Sequence, residues 1–395
     1  MFSKFIVTIA VLSLPAVTLA QAPTYPPAPP ADTTTAPPKP AAPATSPIDF
    51  SGILYANYQY RGDAGPSKAQ NRFDVERAYL TFRVSAGKRM NARITTDLFQ
   101  QTTTGNDSFY RGWVVRAKYA YLQYQYIDTP DWKAHARLGL LQTVFIEHDE
   151  VFWPRWISTS PTERAGYFSS ADAGVSSSIT LPRKMGEVYV TITNGPGYTS
   201  REIDRFKDYA ARLTLTPWAS DSKSVLKTLA LTAWGSKGAI ASRFVTGGAG
   251  QIGTVGEGLD RDRWGIHAGS TTPRFTFGIQ HGRKHEEGEN GANTPASPRA
   301  VVDSSGSLTS GYALLRPVTL FRKDLKTHPL SLFGRVDRVS NNVDKDAHYN
   351  NVLAGLIWDI TPKASFSLDY QEVTPYEGST FPSSKTYFAH FVVRY

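Results

Sequence analysis

The chain has 395 residues, a formal net charge of +9 from 43 Lys and Arg against 34 Asp and Glu, and no cysteine. The missing thiols exclude disulfide scaffolds, Cys-ligated metal sites and thiol nucleophiles. A mean hydropathy of −0.32 is that of a water-soluble chain, but a β-barrel whose lipid-facing and water-facing residues alternate averages to a similar value.

The N-terminus reads as an address. Lys4 supplies a positive start, and Phe5 to Val17 is mostly apolar, interrupted by Thr8, Ser13 and Pro15. That run is shorter than the roughly 20 residues a spanning helix needs. Ala20-Gln21-Ala22 offers an A-x-A cleavage site and Ala20 a second possible end, so residues 1–22 are expected to be a signal peptide. Residues 23–47 are Pro, Ala and Thr, as in Tyr25-Pro26-Pro27-Ala28-Pro29-Pro30. Such a composition builds no packed core and is expected to be a disordered, polyproline-like periplasmic linker.

From residue 48 onward no 18-residue apolar run occurs, so a transmembrane helix is not expected. Period-two alternation recurs instead, which is the strand signal. Ala78, Leu80, Phe82 and Val84 alternate with Arg77, Tyr79, Thr81 and Arg83. Ala92, Ile94, Thr96 and Leu98 alternate with Arg93, Thr95 and Asp97. In 113–126 the polar residues change face near Tyr119, and the parity is ambiguous. The pattern resumes around Arg137, Arg212 and Asp369. In the last segment Tyr387, Ala389, Phe391, Val393 and Tyr395 share one face, and Phe388, His390, Val392 and Arg394 the other. A final strand ending on an aromatic suits a barrel, which must pair its last strand with its first.

Sixteen strands are expected, near 49–60, 73–86, 89–100, 113–126, 133–142, 171–181, 186–194, 207–216, 227–236, 261–271, 274–282, 310–321, 330–340, 347–360, 363–373 and 385–395. Residues 48–395 are thus read as one all-β, antiparallel transmembrane barrel of about 16 strands. An even count puts both ends of the barrel segment on one side, with short and long connections alternating. Long connections are expected at 101–112, 143–170, 237–260 and 283–309. A barrel of this size is wide enough for water, unlike an eight-stranded one.

Several segments resemble the phosphate-selective porin O and P family. They are Glu76-Arg77-Ala78-Tyr79-Leu80-Thr81-Phe82, Lys118-Tyr119-Ala120-Tyr121-Leu122, Arg137-Leu138-Gly139 running to Phe145 and Glu147, and Asn194-Gly195 followed by Lys207-Asp208-Tyr209, Arg212 and Pro217. Gly355, Trp358, Pro362 and Tyr370 complete the series. The resemblance spans about 48–395 and is carried by the order of the pieces. Val144 stands where the family often has Pro, the chain ends in Tyr395 rather than Phe, and no arginine ladder for phosphate is evident. The resemblance implies a 16-stranded outer-membrane porin, a homotrimer, and a 143–170 connection that folds inward.

Candidate site residues follow. Arg77, Arg83, Arg93, Arg137, Arg212 and Arg335 sit on the polar faces of their segments, where lumen orientation avoids a cost of about 2–4 kcal/mol for a charge in lipid. Glu147, His148, Asp149, Glu150, Trp153 and Arg155 are candidates for a constriction, since facing charges in a lumen filter solutes. Asp97, Asp337 and Asp369 are expected to pair with lumen cations. The consecutive Glu147-His148-Asp149-Glu150 lacks metal-ligand spacing, and Asp344, Asp346 and His348 lack a Ca²⁺-loop glycine pattern. Gly247-Gly248-Ala249-Gly250 reads as a flexible loop. No cofactor, metal or nucleic-acid partner is expected. The expected partners are the outer-membrane bilayer and small solutes or anions. Three functions stay open at this point: a diffusion porin with a mild anion preference, phosphate being one possible solute; a barrel enzyme of lipase or protease type, for which no G-x-S-x-G elbow is present; and a structural envelope protein tethered through its Pro-rich segment.

Overall fold

The structure is a computed structural model and describes residues 48–63, 68–101, 112–200, 202, 204–241, 258–290, 300–318, 329–345, 348–376, 378, 379 and 381–395. The expected signal peptide and linker, Gly247–Gly250 and Asp346 lie outside the described residues.

Sixteen antiparallel strands form one closed barrel in which each strand pairs with its neighbours in sequence. They are β1 (Ile48–Arg61), β2 (Asn71–Ser85), β3 (Met90–Gln101), β4 (Gly112–Asp128), β5 (Lys133–Gln142), β6 (Ala171–Thr180), β7 (Gly186–Thr193) and β8 (Asp208–Leu215). The second half comprises β9 (Leu229–Ala241), β10 (Gly258–Thr271), β11 (Phe275–Asn290), β12 (Ala300–Leu315), β13 (Leu330–Ser340), β14 (His348–Thr361), β15 (Ala364–Pro375) and β16 (Ser384–Arg394). β16 closes on β1 in register from Ile53↔Arg394 to Arg61↔Thr386. The seam is extended by reciprocal backbone bonds of 3.0 Å between Gly52 and Tyr395. Closure leaves no unpaired edge. We call the end holding Ile48 and Tyr395 the terminal rim.

Alternation sets the two faces. Leu122, Leu138 and Val175 are cross-strand neighbours on β4, β5 and β6, and all three are exposed outward. Phe50, Phe82, Trp358 and Tyr395 are exposed on the outer face toward the terminal rim, and Tyr60, Phe73, Trp113 and Tyr209 toward the other. The inner face carries the buried residues.

Two bulges place charge inside. Tyr55 pairs with Arg77 but Ala56 with Val75, so Glu76 is an extra residue on β2. Thr95 pairs with Tyr119 but Thr96 with Ala117, so Lys118 is extra on β4. A bulge shifts side-chain parity by one. This is why polarity changes face near Tyr119: Arg116 and Lys118 face inward above the bulge, and Tyr119, Tyr121 and Gln123 below it.

Strand boundaries differ from expectation chiefly in the second half. β12 covers 300–315 rather than 310–321, β11 runs to Asn290 rather than 282, and β9 and β10 reach Ala241 and Gly258. The described residues of the connections expected at 237–260 and 283–309 are therefore strand. Their Gly, Ser and charged residues resemble loop composition, yet the β11–β12 ladder holds from Phe275↔Leu315 to Asn290↔Ala300. A ladder that rises clear of an apolar belt needs no hydrophobic alternation.

Candidate functional site

Segment 143–170, between β5 and β6, lies inside the barrel. It carries two one-turn helices, α1 (Ile146–Asp149) and α2 (Pro161–Arg164). Ser160 caps α2 by accepting from the Glu163 amide, and Pro161 opens it, so Ser-Pro-Thr-Glu is its own start signal.

The inner faces of strands on opposite walls hold the segment. Arg212 on β8 donates to the Val144 carbonyl at 2.7 Å, and Tyr167 Oη donates to the Gly282 carbonyl on β11 at 2.9 Å. Arg335 on β13 donates to the Thr159 carbonyl at 2.7 Å, and Gln371 on β15 to the Ile157 carbonyl at 3.0 Å. Trp153 is fully buried against Tyr312 and Phe333, at ring separations of 5.5 and 5.8 Å. Trp156 meets His390 on β16 edge-on at 6.3 Å. Gly278 makes this seat possible, since a Cβ there would lie 2.3 Å from the Tyr312 ring.

The four consecutive residues of the acidic run point four ways. Glu147 accepts from Gln142 at 3.1 Å and pairs with Arg93 at 3.5 Å. His148 Nε2 shares a proton with Thr232 Oγ1 at 2.9 Å. Asp149 accepts from Tyr312 Oη at 2.6 Å and Gln280 Nε2 at 3.2 Å. Glu150 pairs with Arg155, which also takes Glu163 at 2.6 Å. Their divergence leaves no common point for a metal. Burial holds the His148 imidazole well below its usual pKa and pushes the Asp149 carboxyl up to about 6.

The six candidate arginines divide by exposure and pairing. Arg335 is fully buried, bound to Asp337 at 2.7 Å and stacked 4.9 Å from the Trp153 ring. It faces inward but lies beneath the segment. Arg212, nearly buried, pairs with Glu187 at 2.7 Å. Arg77 pairs with Asp97 at 3.1 Å, Arg93 with Glu147, and Arg83 with Asp49 at 3.4 Å. Arg137 is held by neutral groups, donating to the Gln123 and Gln142 side-chain carbonyls at 2.9 Å each. Of the acids expected to pair, Asp369 meets His390 at 3.3 Å instead of an arginine.

Sequence reasoning missed Arg116 and Lys118. Arg116 shares Asp97 with Arg77, at 3.0 Å, and stacks over Phe99 at 3.8 Å. Lys118 donates to Tyr79 Oη at 3.2 Å and lies 4.3 Å from that ring. Both sit above the β4 bulge, and the parity change was the signal that pointed to them. A basic wall on β2–β5 thus faces the acidic edge of α1. Arg93 meets the 40%-exposed Glu147 at 3.5 Å, while partly exposed Arg77 and Arg116 flank Asp97 on the same wall.

No family model matches the chain, and no curated protein matches it in sequence. Its fold is that of solved porins. The anion-selective porin from Comamonas acidovorans superposes with a TM-score of 0.57 at 9% identity, over 88% of this chain and 98% of that one. OmpF of Salmonella typhi, in complex with daunomycin, gives 0.56 at 9% over 88% and 97%. The trimer form of in-vitro folded OmpT, an outer membrane protein of Vibrio cholerae, gives 0.54 at 11% over 88% and 99%. At such identities the likeness concerns the porin-like 16-stranded barrel alone.

Proposed function

We propose that the protein is an outer-membrane porin through which small hydrophilic solutes or ions diffuse passively, with a mild anion preference. The observation that carries this reading is segment 143–170. It packs across the barrel interior, in one cluster with Tyr55 and Tyr79 of β1 and β2 as well as Tyr312 and Phe333, and partly exposed charges such as Arg93 and Glu147 line the space beside α1. Arginines and carboxylates gathered in this narrowed lumen, Arg93 with Glu147 and Arg77 and Arg116 with Asp97, supply lining charges of the kind that set selectivity. Arg77, Arg83, Arg93 and Arg137 take the role of lining and Glu147 and Glu150 that of constriction, whereas buried Arg335, Asp149 and Trp153 hold the segment in place. Apolar residues and aromatic rings on the outer face suit a bilayer with interfacial girdles.

In this reading residues 1–22 direct export, 23–47 form a periplasmic linker, and the terminal rim faces the periplasm. The resemblance to phosphate-selective porins makes inorganic phosphate a candidate solute and a homotrimer the expected assembly. A passive conduit is favoured over a catalyst. In the Ser367–His390–Asp369 grouping the hydroxyl donates to the carboxylate at 3.3 Å rather than to the imidazole, so no activated nucleophile is set up.

Planar-bilayer recording of the folded protein tests the proposal. Discrete steps of nanosiemens scale in salt are expected, with an anion-selective reversal potential in a KCl gradient. Folded protein without conductance would overturn the pore, and a cation-selective potential would overturn the preference.

A further inference from the structure

We infer that the vestibule between segment 143–170 and the terminal rim holds a binding site for a singly charged oxyanion, centred on Arg137; this rests on the pore reading above. Two cavities meet there. One, of about 560 Å³, is lined by Asp49, Arg83, Arg93 and Arg137 among others. The second, of about 260 Å³, is lined by Arg137, Glu147, Glu187 and Arg212 among others. Arg137 belongs to both.

Charge balance singles it out. The two cavities together hold four arginines and three carboxylates. Each carboxylate has its own arginine: Asp49 with Arg83, Glu147 with Arg93, Glu187 with Arg212. Arg137 is the remaining charge, and no carboxylate among the described residues pairs with it.

Arg137 is also oriented. Its Nε donates to Gln123 and its Nη1 to Gln142, and the guanidinium lies 5.0 Å from the Tyr121 ring. The amide carbonyls fix the plane without neutralising it. Nη2 has no protein acceptor among the described residues, and Arg137 lines both cavities. A fixed guanidinium edge suits a carboxylate or phosphate oxygen. The one net positive charge matches a monoanion. The other vestibule arginines hold their carboxylates and shape the walls.

The test uses full-length protein in planar bilayers, with KCl carrying the current and sodium acetate or inorganic phosphate added as the competing probe. Wild type should show a saturable reduction of chloride current by at least one probe. Whichever blocks at the lower concentration names the preferred oxyanion, and either result supports the site. R137Q should raise the half-blocking concentration roughly tenfold or more, the loss expected for one charge-assisted hydrogen bond. R137K should recover part of it. R83Q removes an equal charge from the same vestibule and should weaken block far less. Equal effects of R83Q and R137Q would indicate a diffuse field and overturn the site. Conducting wild type that neither probe blocks, or block unchanged in R137Q, would overturn it while leaving the pore intact. Folded wild type without conductance would overturn the pore reading and the site together.

Discussion

Asp149 is a buried carboxyl, satisfied by Tyr312 and Gln280 and with no cation within ion-pair distance among the described residues. Burial lifts its pKa from 3.8 to about 6, so the fold prefers it protonated. Below pH 3.8 it is protonated folded or unfolded, and it costs nothing. Between 3.8 and about 6 the unfolded form ionises first, and stability falls as pH rises. Above about 6 the loss is complete, on the order of 3 kcal/mol. Segment 143–170 should therefore be held more tightly at pH 5 than at pH 8. Asp149→Asn removes the titration while retaining one acceptor and one donor. Trypsin cleavage after Arg155 and Arg164, taken as a ratio of wild type to variant at each pH, reads the effect. The ratio should rise roughly fourfold from pH 5.5 to pH 8. A flat ratio would show that Asp149 does not govern docking.

At the scale of elements, the segment is held by an aromatic anchor more than by its helices, which are one turn each. Trp153 fills the space between Tyr312 and Phe333 and carries the Arg335 guanidinium on its face. The pair beneath, Arg335 with Asp337, is fully buried, and opening it would strand a charge. Trp153→Ala should cost the docked segment about 3–5 kcal/mol. The barrel ladder should survive, because its backbone bonds do not depend on the indole. Larger and noisier conductance steps are expected from the variant. Steps as quiet and as small as those of wild type would mean that the segment is held elsewhere.

At the scale of the barrel the outer face is apolar, and the interior sets buried charges such as Arg335, Asp337 and Asp97 among aromatic packing. Lipid makes that arrangement favourable, because closure satisfies every strand and leaves only side chains to meet the hydrocarbon. Leu138 is 62% exposed in the belt formed with Leu122 and Val175. Leu138→Lys should lower stability in bilayers by about 2–4 kcal/mol. Urea unfolding in lipid vesicles measures it. A variant as stable as wild type would place Leu138 outside the hydrocarbon.

The sequence by itself determined the barrel and the strand number, because a period-two pattern reports side-chain parity wherever one face is apolar. It was silent where that pattern lapses. Beyond the apolar belt, β11 and β12 continue as polar ladders, and composition alone reads them as loop. At the β4 bulge the parity changed, and only the pairing of Thr95 with Tyr119 and Thr96 with Ala117 turned an ambiguity into two inward cations, Arg116 and Lys118. Pairing was likewise beyond reach. Arg93 meets Glu147 across 54 residues, and Arg335 reaches the Thr159 carbonyl across 176. Which arginine keeps an uncompensated charge depends on such long-range contacts, and only the closed barrel with its inward segment brings those groups together.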